Sequence, residues 1–303
     1  MNFDLTILGS GSALPTSRRY STAHALKVYE RFFLIDCGEG TQLQLRKAKI
    51  KLSRINHIFI SHAHGDHVFG LFGLLSTMNL LGRTAVLNIH GGPDVQKILN
   101  FYFDQFSEGM QYKVVVNIIN NRSFNLLHSD KNLEVYSFPL KHRVPAWGFL
   151  FNEKEKDANI VKEVITKYKL SIKNIVSIKR GNDFITDTGE RIPNAQLTVP
   201  AMPPRSFAFC SDTAYYERII KWVEGVDLLY HEATFANADR KIAKQTDHST
   251  AQQAASIAKK AGVKKLLIGH FSNRYSDLDL LLREAREVFP ETYLAEDLET
   301  HTI

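Results

Sequence analysis

Apolar residues along this chain come in two rhythms: short alternating or continuous runs that suit strands, and longer runs at helical spacing. Residues 3–8 alternate and then meet Gly9-Ser10-Gly11-Ser12, which predicts a strand ending in a turn. No helical pattern follows those glycines, so they are not a nucleotide-binding fingerprint; Pro15 and Arg18-Arg19 come instead. Residues 24–35 predict one or two strands ending at Asp36-Cys37-Gly38-Glu39-Gly40, and residues 41–49 a helix with Thr41 as its cap. A strand over 55–60 runs into a polar turn, and the apolar stretch 68–81 beyond it predicts a mostly buried helix. Further strands are expected over 85–90, 114–119 and 133–139, extended chain over 148–151, and a helix over 94–103 with Pro93 at its start. The same alternation resumes at 206–210, followed by a helix over 215–224 and a strand over 227–230. A helix starts at Ser249, where Ser249 and Gln252 fit a capping box, and a strand over 264–268 and a helix over 277–288 close the pattern.

Between 153 and 205 the pattern breaks. A short amphipathic helix over 160–168 gives way to polar turns at 181–183 and 188–190 and a proline-rich stretch at 200–204. Core-like apolar density is low, so this segment is expected to be a flexible arm inserted into one domain that spans 1–303.

Strand after strand ends on a residue able to bind metal or take part in catalysis: Asp36, His62, His142, Asp212, Glu232 and His270. A sheet gathers its strand ends along one rim, so residues distant in sequence meet there. The expected class is α/β (α+β), with two β-rich halves and helices outside them forming a four-layer αββα sandwich.

The turn after residue 60 reads His62-Ala63-His64-Gly65-Asp66-His67. Imidazole and carboxylate suit zinc, and manganese or iron as well, better than calcium. Two histidines one residue apart, then Asp-His, have the spacing to serve two ions. His142 is the best third imidazole for His62 and His64, His270 the best partner for Asp66 and His67, and Asp212 has two oxygens with which to bridge. Paired divalent ions suit displacement at a phosphodiester or similar centre.

The chain has 303 residues, ample for a large core, and a formal net charge of +6. That tilt toward a polyanion is weak alone, but it is concentrated. Residues 153–180 carry eight Lys or Arg against four acids, including Lys167, Lys169 and Lys173. These lysines are candidates for phosphate-backbone contact. The two cysteines, Cys37 and Cys210, are not spaced for a zinc knuckle and read as buried thiols of a reducing compartment. Neither a leader pattern nor an apolar run long enough for a membrane is seen, so a cytoplasmic protein with no membrane association is expected.

Several segments, in order, resemble the metallo-β-lactamase superfamily and, within it, the ribonuclease Z family of tRNA 3′-processing endonucleases. They are Leu8-Gly9-Ser10-Gly11-Ser12-Ala13-Leu14-Pro15, Asp36-Cys37-Gly38-Glu39-Gly40-Thr41-Gln42, the H-x-H-x-D-H run and His142-Arg143-Val144-Pro145. Ser211-Asp212-Thr213, His231-Glu232-Ala233-Thr234-Phe235, His248-Ser249-Thr250 and Gly269-His270-Phe271-Ser272-Asn273-Arg274-Tyr275 continue the series. The H-x-H-x-D-H run marks only the superfamily, whereas the last three segments point to the ribonuclease Z branch. The resemblance implies two zinc ions per subunit and no organic cofactor. His62, His64, His142 and Asp212 would hold one ion, and Asp66, His67, Asp212 and His270 the other. It also implies that Asp66 accepts a proton from the attacking water and that Glu232 and His248 deliver one to the leaving 3′ oxygen. Arg274, with Ser272 in the same segment, is placed to clamp phosphate. The implied substrate is precursor tRNA, and the implied assembly a homodimer in which one subunit's arm holds tRNA for the other's site.

Two departures qualify the resemblance. The family's acceptor-sensing loop P-x-K-x-R-N here reads Pro15-Thr16-Ser17-Arg18-Arg19-Tyr20, retaining Pro15 and Arg19 but not the Lys or Asn. The arm lacks the family's Gly-Pro element and shows Leu170-Ser171-Ile172-Lys173 near its place. Two alternatives remain open at this level: a small-molecule phosphodiesterase or other hydrolase on the same scaffold, and a catalytically silent nucleic-acid-binding relative.

Overall fold

The computed structural model describes residues 2–120 and 123–303. Two seven-stranded sheets carry the fold. The first runs, in spatial order, Thr300–Thr302, Phe3–Gly9, Ala23–Val28, Arg31–Ile35, Ile55–Phe59, Leu87–Gly91 and Val114–Ile118. Pairing is antiparallel as far as Arg31–Ile35 and parallel beyond it. The second runs Thr292–Leu294, Lys265–Gly269, Leu228–Glu232, Ser206–Cys210, Trp147–Glu153, Leu133–Pro139 and Asn125–Ser129, its first four strands parallel.

Aromatic side chains hold the sheets face to face. Phe59 meets Phe149 and Phe151 at ring separations of 5.5 Å, Phe33 meets Phe151 at 6.0 Å, and all four are buried. Truncating one such ring would cost about 3–5 kcal/mol. Helices cover both outer faces. Thr41–Lys47, Gly70–Leu80 and Pro93–Phe106 bury Leu45, Leu71, Leu74, Leu75 and Leu99 on the first sheet's side. Ala251–Ala261 presents Ala254, Ala255 and Ala258 to the core on the second sheet's side, small residues that let its backbone sit close. The result is the expected αββα sandwich.

Local details differ from the sequence expectations. Gly40, in the left-handed region at φ 82°, precedes the first helix, and Thr41 is its first residue, donating its hydroxyl to Gly38 O at 2.6 Å rather than capping. The later capping box is one residue on. Thr250 Oγ1 accepts from Gln253 N and Gln253 Oε1 from Thr250 N, which frees Ser249 Oγ to donate to Thr213 O at 2.7 Å. The helix expected over 215–224 is instead a 3₁₀ turn at Glu217–Ile219 and a single α turn at Ile220–Val223. Short strands at Asn125–Ser129, Thr292–Leu294 and Thr300–Thr302 carry too few alternating apolar residues to announce themselves.

Residues Ser129–Glu134 and Asn152–Pro204 form a compact unit of their own. It contains helices Lys162–Lys167 and Ile172–Lys179, the second capped by Ser171 Oγ accepting from Asn174 N at 3.2 Å. Two minimal strand pairs accompany them, Asn159–Ile160 with Thr198–Val199 and Phe184–Ile185 with Arg191–Ile192. Low apolar density misleads here: Val164, Leu170, Ile178, Ile192 and Leu197 converge on a small buried cluster. Tyr168 packs against that cluster, 5.9 Å from the Phe184 ring. Isolated apolar residues between lysines do not read as a core until folding brings them together.

Candidate metal centre

Four strands deliver the site. Ile55–Phe59 leads to His62, Ser206–Cys210 to Asp212, Leu228–Glu232 ends on Glu232 itself, and Lys265–Gly269 leads to His270. In parallel sheets the carboxyl ends share one edge, which is where these residues meet. His270 adopts a positive φ of 59°, turning its ring back toward the rim. The turn carrying His64 to His67 enters the helix Gly65–Val68 directly, and its backbone is pressed against Gly38, where a Cβ would lie 2.3 Å from Asp66 O. A residue other than glycine there would push the turn out of place.

Two sets of donor atoms converge. His62, His64, His142 and Asp212 form one group and Asp66, His67 and His270 another, the atoms of each lying within 4.8 Å of one another. Asp212 divides its oxygens between them. Oδ2 lies 3.5 Å from His62 Nε2 and 3.9 Å from His142 Nε2, while Oδ1 lies 3.5 Å from His67 Nε2 and 3.2 Å from His270 Nε2. Asp66 Oδ2 completes the second set at 3.4 Å from His270 Nε2 and 3.6 Å from His67 Nε2.

The surroundings orient these donors. Asp36, buried at its strand end, accepts from Ser61 N and Ser61 Oγ and lies 2.8 Å from His67 Nδ1, so His67 Nε2 faces the site. His142 Nδ1 sits 3.0 Å from Asp247 O, and His270 Nδ1 3.0 Å from Thr234 Oγ1, whose hydroxyl donates to Glu232 Oε2. Asp66 Oδ2 also accepts from Ala13 N at 2.7 Å, which ties the glycine-rich turn after the first strand to the centre. Sequence reasoning singled out Asp36 as a strand-end residue but missed its service to His67, and it gave no orienting role to Asp247 or to Thr234, which it read only as part of a family segment. A residue that acts through another leaves no donor pattern of its own.

The residues present fit a divalent cation. His67 Nε2 and His270 Nε2 are buried without a hydrogen-bond partner, although Asp212 Oδ1 stands 3.5 Å from the first and 3.2 Å from the second, so the nitrogens and the carboxylate border a common point without bonding to each other. Burial alone would raise Asp212 and Asp66, but the neighbouring imidazoles, His270 and His67 foremost, outweigh it and hold both well below the usual carboxylate range. For His67 burial works downward and is overcome by Asp66, Asp212 and Asp36, which raise it. Buried carboxylates therefore demand positive charge here, and a proton on His67 or a divalent ion supplies it. His62, by contrast, is lowered to about 4 by burial and by His67, leaving a neutral imidazole suited to ligation. Burial also lowers His64 and His142.

Beside the two sets, His248 Nδ1 lies 2.9 Å from the buried Glu232 Oε1 and its Nε2 4.0 Å from Asp212 Oδ2. Burial would lower His248, but the Glu232 and Asp212 carboxylates push it up to about 9. Glu232 is fixed by donors from Thr213 N, Ser249 N and Thr234 N. An open cleft of about 470 Å³ exposes Asp66, His64, His248, His270 and Asp212 together.

The phosphate-binding candidates are placed differently. Arg19 donates to Tyr275 O at 2.7 Å and lies over Phe271, and Arg274 pairs with Asp239 at 3.4 Å over Phe235, with Ser272 Oγ accepting from Arg274 N. Both guanidiniums are committed to protein partners. Lys167, Lys169 and Lys173 are exposed on the second compact unit. Cys37 and Cys210 are buried free thiols outside both donor sets, their pKa values raised by burial. Among the described residues no helix is long and apolar enough to cross a membrane.

A model of the beta-lactamase superfamily domain matches residues 178–271, and one for the anti-Pycsar protein Apyc1 matches residues 3–138. The ribonuclease Z of Parabacteroides distasonis is 51% identical over 98% of this chain and 97% of its own length. The chain belongs to the ribonuclease Z family. The ribonuclease Z of Bacteroides fragilis is 48% identical over 97% of both chains. The crystal structure of human tRNase Z, short form, superposes with a TM-score of 0.72 at 28% identity, covering 99% of each chain. The chain is therefore a metal-dependent phosphodiester hydrolase of the ribonuclease Z type on a metallo-β-lactamase fold, with a His/Asp cluster able to hold divalent metal.

Proposed function

We propose that this chain removes the 3′ trailer from precursor tRNA in the cytoplasm, leaving a 3′ hydroxyl on the tRNA, with two zinc ions per subunit. The observation that carries the reading is Asp212, which offers one oxygen to each of two complete donor sets. When bound, two such ions supply a nucleophile at neutral pH and stabilise charge on the attacking and leaving oxygens. His62, His64 and His142 would hold one ion with Asp212, and Asp66, His67 and His270 the other with it. Manganese or iron would also suit these donors.

The chain's own groups perform the proton transfers. Asp66, ionised and directed into the cleft, accepts a proton from the attacking water. His248, held through Nδ1 by Glu232, presents Nε2 to the leaving 3′ oxygen and donates to it. Glu232 keeps that tautomer and orientation and stabilises the charged imidazole.

Lys167, Lys169 and Lys173 contact the tRNA backbone from the arm, and Arg19, Ser272 and Arg274 approach the acceptor end, the two arginines exchanging protein partners for phosphate. A homodimer is supported by an exposed apolar face on the helices Gly70–Leu80 and Pro93–Phe106, where Leu80, Phe101 and Phe106 are more than half exposed.

Precursor tRNA with a 3′ trailer should give one product ending at the acceptor stem. Cleavage should vanish on chelation and return with zinc. Hydrolysis of a chromogenic phosphodiester without precursor cleavage would move the assignment to a small-molecule phosphodiesterase. Deleting 160–180 should weaken tRNA binding by about 10-fold or more through lost phosphate contacts while sparing the chromogenic substrate. Unchanged tRNA processing by that variant would remove the arm from substrate binding.

A further inference from the structure

One groove beside the metal centre is lined by positive charge alone. It has a volume of about 390 Å³ and runs from His142 past Trp147 to Tyr216 and Arg218. Its charged lining is Lys141, Arg143 and Arg218, with no carboxylate among the described residues. The cavity near Ser10 is different: there Arg18 and Arg19 face Asp277, Asp279, Glu296 and Asp297. Arg143 lines the metal cleft as well, so it stands at the border between groove and cleft.

The three cations are exposed, and none makes a side-chain hydrogen bond or ion pair with a described residue. They differ in this from Arg19 and Arg274, whose guanidiniums already have partners. Tyr216 is half-buried and packed on the second sheet's outer core, which fixes its ring along the path. A cation-only groove with a fixed aromatic ring has the chemistry of a single-stranded nucleic-acid track: phosphates on the cations, a base on the ring.

We infer that this groove receives the unpaired RNA on the 3′ side of the scissile phosphate, with Arg143 at its entrance and Lys141, Tyr216 and Arg218 along it. The inference rests on the assignment of tRNA trailer removal. The size of the groove selects the strand. It lies in the range of small-ligand pockets, about 300–1,000 Å³, and so admits a nucleotide or two of single strand but no duplex. On the 5′ side of the cut the substrate is a folded, base-paired stem; on the 3′ side it is a free strand. The free strand fits.

The test compares the wild-type protein with Lys141→Gln/Arg218→Gln on two precursors, one with a single-nucleotide trailer and one with a trailer of about ten nucleotides, across a salt series. Zinc content and melting temperature are measured for both proteins. On the long trailer kcat/KM should fall by about 10-fold, and the salt dependence should flatten by about 1.4 in log–log slope, two contacts at about 0.7 each. The single-nucleotide precursor should lose several-fold less, and Arg218→Glu should deepen the loss on the long trailer alone. Equal losses on both precursors, or an unchanged salt slope, would overturn the groove's role. Failure of the wild-type protein to cut either precursor would overturn trailer removal itself, and this inference with it.

Discussion

Asp66→Ala is expected to reduce precursor cleavage by about 10³-fold or more, because the proposed roles of general base and metal ligand both fall on this one carboxylate. The carboxylate lies within 3.6 Å of both His67 Nε2 and His270 Nε2, and it is the most exposed member of its donor set, lining the cleft together with His270. It is held ionised because His67 and His270 outweigh the effect of its burial, so it is available as a base throughout the neutral range. Removing it leaves His67 with Asp212 and Asp36 as its remaining acidic neighbours. Zinc content should therefore fall by up to one ion per subunit, while the donor set of His62, His64, His142 and Asp212 keeps its ligands. Affinity for tRNA should change by less than about twofold, because phosphate contacts made away from the centre dominate binding. Single-turnover cleavage, filter binding and metal analysis on one preparation separate these terms. Cleavage within tenfold of wild type, at about full zinc content, would deny Asp66 the role of base.

Much of the centre was legible in the sequence because metal donors have a restricted alphabet and a fixed place on this fold. The H-x-H-x-D-H turn supplies four donors from one loop, and His142, Asp212 and His270 each stand just beyond a strand that reads clearly as alternating or continuous apolar residues. The structure does bring those seven side chains together. Less legible were the groups that act through another residue. Asp36 could be singled out as a strand end, but its pairing with His67 depends on Cys37 and Gly38 packing under the Gly65–Val68 turn, a contact between segments some 30 residues apart. The same limit applies to the arm, where five buried apolar residues scattered between Val164 and Leu197 make a core visible only after folding. Cap positions slipped by a residue at Thr41 and Ser249 because Ser, Thr and Gly neighbours compete for one role, and tertiary hydrogen bonds to Gly38 and Thr213 decide between them.

His248→Ala is expected to lower kcat by about 10²–10⁴-fold with little change in KM, since a general acid acts in the transition state and not in binding. The geometry gives this a specific pH signature. Glu232 Oε1 at 2.9 Å and Asp212 Oδ2 at 4.0 Å overcome burial and push His248 up to about 9. A raised acid stays protonated further into the alkaline range, so the rate should decline only as pH rises through the folded-state pKa. Glu232→Gln removes the larger of the two raising charges. It should keep the hydrogen-bonding shape but move the alkaline limb to lower pH, and His248→Ala should erase the limb. A precursor with sulfur in place of the bridging 3′ oxygen adds a sharper discrimination. The thiolate leaves without needing a proton, so this substrate should restore most of the rate to His248→Ala and very little to Asp66→Ala. Rescue of neither variant, or an alkaline limb indifferent to Glu232→Gln, would place His248 among the groups that merely shape the cleft and would leave the leaving oxygen to be protonated by solvent.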